Sequence, residues 1–153
     1  MVLSPDDFLI RSDGTYDWTP HRVVSAWRET LDRVKGLLEG SRYSTLVLLC
    51  GIPATGKSTW LRNHRDTSFL YVDATFTTRA SRAPLVSLAA SLGKPIDLVF
   101  IDTPFEECSR RNLLRPEDRQ VPPEKMVKFK TDLEVEPPLI EEGFRSIIVV
   151  TPS

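Results

Sequence analysis

The sequence predicts a three-layer α/β domain, with a mostly parallel sheet of about five strands flanked by helices. Three observations carry that expectation. Short apolar runs alternate with longer amphipathic stretches along the 153 residues, the pattern of strands joined by crossover helices. One run, Thr45 to Cys50, carries no charge at all, as suits a strand buried on both faces. A glycine-bounded loop, Gly51 to Ser58, follows it at once and opens into a helical stretch. A chain of this length has room for one core under one sheet, so residues 1–153 are expected to form a single domain.

The elements follow in order. Val2-Leu3 is a brief strand candidate, and residues 12–19 read as a turn around Asp13-Gly14. Thr19-Pro20 has the form of a helix cap followed by proline in the first turn. Val23, Trp27, Leu31, Val34 and Leu38 recur at helical spacing, and Gly40 stops that helix. After the strand at 45–50, a helix is expected from about Lys57 to His64. Phe69 to Val72 is the next strand and ends at Asp73. A helix over 81–92 is closed by Gly93, and Leu98 to Ile101 is a fourth strand that ends at Asp102. Thr103-Pro104-Phe105-Glu106 matches a capping box with a proline inside it, which starts another helix. A proline-bounded helix near 123–134 and a strand from Ser146 to Val150 complete the series.

Composition narrows the partners. Net charge is −1, which argues against a broad electrostatic grip on nucleic acid but leaves room for one strand end held by a few arginines. Cys50 and Cys108 sit in or beside apolar stretches with no ligand partners nearby. They are expected to be buried thiols in a reducing cytosol, not a disulfide or a zinc site. The N-terminus lacks the basic-then-apolar pattern of a signal peptide, and no run approaches membrane-spanning length. A cytoplasmic location with no membrane partner is the expectation.

The loop Gly51-Ile52-Pro53-Ala54-Thr55-Gly56-Lys57-Ser58 matches G-x-x-x-x-G-K-[ST]. Its glycines let the backbone curl so that N–H groups point at phosphate oxygens. Lys57 neutralises the β- and γ-phosphates, Ser58 offers a hydroxyl to magnesium, and the following helix, with Thr59 in its first turn, aims its positive end at the anion. The expected cofactors are therefore ATP, or another nucleoside triphosphate, and Mg2+.

Neighbouring residues narrow the chemistry. No Asn-Lys-x-Asp guanine motif is present. The apolar strands end Val72-Asp73-Ala74 and Ile101-Asp102-Thr103, so neither aspartate is followed by the glutamate that polarises water in ATP-hydrolysing motors. That points to phosphoryl transfer onto another acceptor. Asp73 is preferred as the partner of magnesium, because its strand directly follows the loop helix and should lie beside the loop strand; Asp102 reads better as a strand-end residue that helps cap the next helix. Transfer needs a carboxylate to deprotonate the accepting hydroxyl. Asp6 and Asp7, after the first short strand, are candidates, although an Asp pair after Pro5 equally suits a cap. Arg110, Arg111, Arg115 and Arg119 cluster after the fourth strand, with Arg111 and Arg115 on one helical face. They suit a lid over about 106–122, or else a solvated face paired with Glu106, Glu107, Glu117 and Asp118. Tyr16 and Trp18 suit either stacking on an acceptor base or packing within their loop.

Five segments together resemble the kinase domain of the polynucleotide 5′-hydroxyl kinase group: GIPATGKSTW at Gly51–Trp60, LSPDDF at Leu3–Phe8, YVDATFTTRASR at Tyr71–Arg82, VFIDTPFEECSRRNLLR at Val99–Arg115, and Val121-Pro122. The resemblance implies that Asp6 is the general base and that Lys57 and Ser58 hold phosphates and magnesium. It also implies that Asp73 matches the strand-end aspartate, and that Arg115, with Arg111 beside it, contacts the donor phosphates from the lid. Asp7, Arg11 and Arg82 fall where the acceptor would be held. Two departures stand out. The Asp-Asp segment precedes the phosphate loop instead of following it, so the units are permuted. Leu9 stands where the group often has an arginine, three residues after the base, and Arg11 is the nearest one. The favoured acceptor is a polynucleotide 5′-hydroxyl end. A small-molecule kinase acting on a nucleoside, sugar or antibiotic shares the scaffold, and a nucleotide-binding regulatory module without turnover is the reading from another class.

Overall fold

Residues 1–151 are described by a computed structural model. The uncharged run becomes the central strand β2 (Thr45–Cys50), buried at every position. It lies between β3 (Phe69–Asp73) and β4 (Ile96–Ile101), with β1 (Val2–Leu3) beyond β3 and β5 (Ser146–Val150) beyond β4. All four pairings are parallel. Because β2 has strands on both sides, its backbone groups are paired and its side chains can be wholly apolar.

Alternation along the strands feeds two cores. Leu46, Leu48 and Cys50 face Val34 and Leu38 of α1 (Pro20–Leu38) and Leu85 and Ala89 of α3 (Arg79–Ser91). Val47, Leu49, Val99 and Ile101 face Leu61 and Trp60 of α2 (Lys57–His64). A third, smaller cluster ties Ile52 of the glycine loop to Cys108 of α4 (Phe105–Leu113) and Met126 of α5 (Pro123–Val135). Burial pushes the Cys50 thiol up to about 12, so it is a packing group. Among the described residues no helix is long and apolar enough to cross a membrane.

Parallel pairing sends every carboxyl end to one edge, where open α/β sheets place their sites. Leu49 stands opposite Asp73 across the β2–β3 ladder, the adjacency expected from strand order. The permuted segment reaches the same edge because β1 pairs in parallel with the far side of β3.

The structure corrects three local expectations. Helix α3 begins at Arg79, where Thr78 Oγ1 accepts from Ser81 N at 3.2 Å and Ser81 Oγ from Thr78 N at 3.3 Å. Strand β4 begins at Ile96, because Asp97 is made tolerable inside it by Arg145 Nε at 3.1 Å and Ser146 Oγ at 3.0 Å. The capping box at Thr103–Glu106 does not form, and Asp102 makes no cap bond either: α4 starts after Pro104 without a side-chain cap. Thr103 Oγ1 instead donates to Thr55 O of the glycine loop at 2.6 Å.

Candidate functional site

The loop from Gly51 to Ser58 joins β2 to α2. Ala54 and Gly56 take positive φ, 68° and 98°, which bends the chain around its own centre. Among the described residues the N–H groups of Ala54, Thr55, Gly56, Lys57 and Ser58 make no hydrogen bond. Such a row of unpaired donors at a helix start is a cradle for an anion. Gly51 N is tied to Thr75 O at 3.1 Å, which joins the loop to the end of β3. Lys57 Nζ donates to Gly51 O at 3.0 Å and Ile52 O at 3.3 Å, so its amine is already held over the loop. Burial pushes that amine below the ordinary lysine value, and Asp73 opposes the push. Ser58 and Thr59 are exposed in the first turn of α2.

Gly51 has no room for a side chain. A Cβ there would stand 2.9 Å from Ile101 O and 3.0 Å from Thr55 Oγ1. Gly51→Ala should therefore push the loop from β4 and cost about 1–3 kcal/mol of stability. Chemical denaturation of the two proteins checks this, and equal midpoints would show that the approach is not tight.

The Asp6–Asp7 pair is divided between two roles. Pro5–Phe8 forms a single 3-10 turn capped by Ser4. Ser4 N donates to Asp7 Oδ2 at 3.1 Å and Asp6 N to Ser4 Oγ at 3.3 Å, so the Asp7 carboxylate serves the cap. Among the described residues the Asp6 carboxylate has no hydrogen-bond or ion-pair partner. The residue as a whole is exposed, yet the protein around it takes part of the water from its carboxylate. Desolvation is the largest force raising it above the ordinary carboxylate value, followed by the negative charges of Asp73 and Asp7, while Lys57 and Arg115 pull it down. Asp73, half-buried, is likewise raised by desolvation and lowered chiefly by Lys57. The charges of Asp73, Lys57 and Arg115 all act on Asp6, so the four groups lie near one another, although Asp6 and Lys57 are separated in sequence by the whole of α1 and β2.

The arginine cluster also divides. Arg110 and Arg111 both bind Glu107, whose carboxyl they hold down at about 2. Arg111 Nη1 reaches Ala54 O at 3.4 Å and lies against Gly56, so it rests on the phosphate loop. The Arg115 side chain has no bonded partner among the described residues. The segment that carries it is closed at its base by buried Asn112, which donates Nδ2 to Val121 O at 2.7 Å and accepts from Val121 N at 2.9 Å. Arg119 leans over the Tyr16 ring, 5.4 Å from its centroid.

Two residues grouped by sequence with the acceptor are engaged elsewhere. Arg82 is fully buried: Nε and Nη2 bind the Glu142 carboxylate at 2.8 and 3.1 Å, Nη1 binds Phe76 O, and Nη2 also reaches Glu136 O. It is a core anchor: four of its five N–H groups are spent on Glu142, Phe76 and Glu136, and the side chain is 1% exposed. Arg11 Nη1 binds Tyr16 O at 2.9 Å and Thr15 Oγ1 at 3.3 Å, which stitches its own loop together. Sequence reasoning assigned no site role to Glu107 and Asn112, and it read Thr103 as a cap. Glu107 pairs with arginines one turn on, as helical spacing allows, whereas Asn112 and Thr103 act through partners distant in sequence, a relation that local spacing does not reveal.

A cavity of about 430 Å³ opens beside the loop, between Thr55, Asp102, Phe105, Leu133, Pro138 and Val149.

A family model described as an AAA domain matches residues 65–134. The match begins after the glycine loop and takes in Asp73, β4, α4 and most of α5. The fold is that of a P-loop NTPase-like domain. Solved structures similar to this chain include that of AvrRxo1-ORF1:-ORF2 with ATP, at 15% identity and TM-score 0.49, covering 76% of this chain and 56% of that one. The same pair with sulphate ions aligns at 17% identity and TM-score 0.46 with the same coverage. The native complex aligns at 16% identity and TM-score 0.41, over 69% of this chain and 53% of that one. The chain thus spans little more than half the length of these neighbours. No curated protein shows a detectable match in sequence.

Proposed function

We propose that the chain transfers the γ-phosphoryl group of ATP to a hydroxyl acceptor, and that the acceptor is a polynucleotide 5′-hydroxyl end. The observation that carries this reading is the Asp6 carboxylate, without a bonded partner among the described residues, at the carboxyl edge of the sheet and within reach of the charges of Lys57, Asp73 and Arg115. A P-loop alone binds nucleotide. A free carboxylate of raised pKa beside it adds a base suited to an alcohol.

The residues take these roles. The unpaired N–H groups of the loop and Lys57 hold the β- and γ-phosphates. Asp6 accepts the proton of the acceptor hydroxyl as its oxygen bonds to the γ-phosphorus, and the bond from that phosphorus to the β–γ bridging oxygen breaks to release ADP. Arg115 is the positive group left free to meet the charge on the transferring oxygens, with Arg111 holding the loop beside it. The exposed Ser58 hydroxyl and the half-buried Asp73 carboxylate are oxygen donors of the kind Mg2+ takes when phosphates and water complete its shell. When bound, magnesium supplies positive charge across the phosphate oxygens.

The test is transfer of label from γ-labelled ATP to a 5′-hydroxyl oligonucleotide, compared with a free nucleoside and a sugar. Label on the oligonucleotide supports the reading. Label only on a small alcohol would move the assignment to the second reading, a small-molecule kinase. One observation favours that second reading: Leu9, where the resembling group often has arginine, is 2% exposed and offers nothing to a strand phosphate.

A further inference from the structure

The segment from Ile10 to Trp18 takes no part in holding phosphates, yet it is folded back firmly on the Asp6 turn. Ile10 bridges Tyr16 in antiparallel fashion. Arg11 N donates to Thr15 O at 2.7 Å, Asp17 N to Leu9 O at 2.8 Å, and Leu9 N to Asp6 O at 3.0 Å. A short chain of backbone hydrogen bonds therefore connects the base of the proposed reaction to Asp17, next to Trp18.

What this loop presents is aromatic. The Tyr16 and Trp18 rings stack at 5.5 Å with an interplanar angle of 18°, and Trp18 remains 47% exposed. A lone exposed indole would need no explanation. Here it is backed by a second ring, and that ring by the Arg119 guanidinium at 5.4 Å. Arg119 belongs to the same segment as Arg115, whose charge reaches both Asp6 and Lys57. The two arginines are four positions apart in sequence, so their Cα atoms are at most about 14 Å apart. One strap of chain thus touches the transfer site at one end and the aromatic pair at the other.

We propose that Trp18, backed by Tyr16 and Arg119, is the platform on which a nucleobase at the acceptor's 5′ end stacks, with the terminal hydroxyl turned toward Asp6. This rests on the reading of the site as a polynucleotide 5′-hydroxyl kinase. Stacking also answers the charge balance. With a net charge of −1 the chain is not built to bind a strand through many phosphates, and a π-face grips any base without regard to sequence.

Binding of a 3′-fluorescein-labelled, single-stranded 5′-hydroxyl oligonucleotide to the full chain is measured by anisotropy for the wild type, Trp18→Ala and Trp18→Phe. The same oligonucleotide with an abasic 5′-terminal residue serves as the second probe. Trp18→Ala should weaken binding of the intact strand by about 5–150-fold, the range for loss of one base–aromatic stack, and Trp18→Phe should recover part of it. Removing the base and removing the indole should cost about the same and should not add, because they delete the two halves of one contact. Unchanged binding by Trp18→Ala, or additive losses, would overturn the platform. Label transfer assayed alongside separates the two proposals. Transfer without any Trp18 effect on binding or KM sinks the platform and leaves the kinase. The platform pattern without transfer sinks the kinase and leaves the platform, and neither binding nor transfer by the wild type sinks both.

Discussion

Asp6→Asn is expected to lower kcat for phosphoryl transfer by about 10²–10⁴-fold and, at neutral pH, to raise the thermal midpoint. The first effect follows from its proposed role. Asparagine keeps the shape and loses the basic carboxylate that would take the hydroxyl proton, while the loop N–H groups and Lys57 still hold ATP. The second follows from the same environment. Desolvation and the charges of Asp73 and Asp7 raise the Asp6 pKa above its ordinary 3.8 despite Lys57 and Arg115. A folded carboxyl that holds its proton more tightly than the unfolded chain favours folding at low pH. That contribution is lost as pH rises from 3.8 through the raised folded value. Above that window the ionised group is a net cost that asparagine removes, so the gain in midpoint should shrink toward zero below about pH 4. The wild-type rate should rise with pH through the same window, because the base works only when deprotonated. Calorimetry at two pH values and a kcat/KM profile check both halves. A variant that is neither slower nor more stable would remove Asp6 from the site.

The fold was legible because its signals are local and redundant. An uncharged strand, a glycine loop and a helix stand in immediate succession from Thr45 to His64, and the place of β3 beside β2 follows from its coming next in the chain, whereas β4 on the other side of β2 was not legible in the order of the apolar runs. The position of the glycine loop between β2 and α2, and of Asp73 at the end of the adjoining strand, was legible for the same reason. The permuted Asp6 was legible as a candidate only. A pair of aspartates after Pro5 suits a cap and a base equally, and the structure divides them, with Asp7 on Ser4 and Asp6 free. Individual arginines could not be assigned from spacing, since a guanidinium's role is set by which carboxylate or carbonyl it meets. Arg110 meets Glu107, Arg111 meets Glu107 and the phosphate loop, and the Arg115 side chain meets no bonded partner among the described residues. The misreading of Thr103 has a similar origin. A hydroxyl ahead of a helix usually serves the helix, but here β4 ends close enough to Thr55 O for the hydroxyl to donate across the chain.

Arg82 is where sequence resemblance and structure diverge most, and its removal should have the largest effect on stability. Its side chain is 1% exposed and that of Glu142 is 3% exposed. Arg82→Ala would leave a buried carboxylate without its counter-charge and the carbonyls of Phe76 and Glu136 without their donor. Breaking one half of such a pair costs about 3–5 kcal/mol, roughly a 10 °C fall in the midpoint for a chain of this size. Replacing Glu142 as well should cost less than the two single losses combined, because the second change removes the orphaned charge that the first creates. The consequence reaches the site through backbone. Phe76 holds a left-handed φ of 49° and its carbonyl accepts both Arg82 Nη1 and the Cys50 thiol, while its neighbour Thr75 accepts Gly51 N. Arg82 thus steadies the turn that follows Asp73 and braces the first residue of the phosphate loop. A thermal melt of Arg82→Ala, Glu142→Ala and the double variant tests the assignment. If Arg82→Ala leaves the melt unchanged and weakens only acceptor binding, the guanidinium is not the anchor described here and belongs with the acceptor after all.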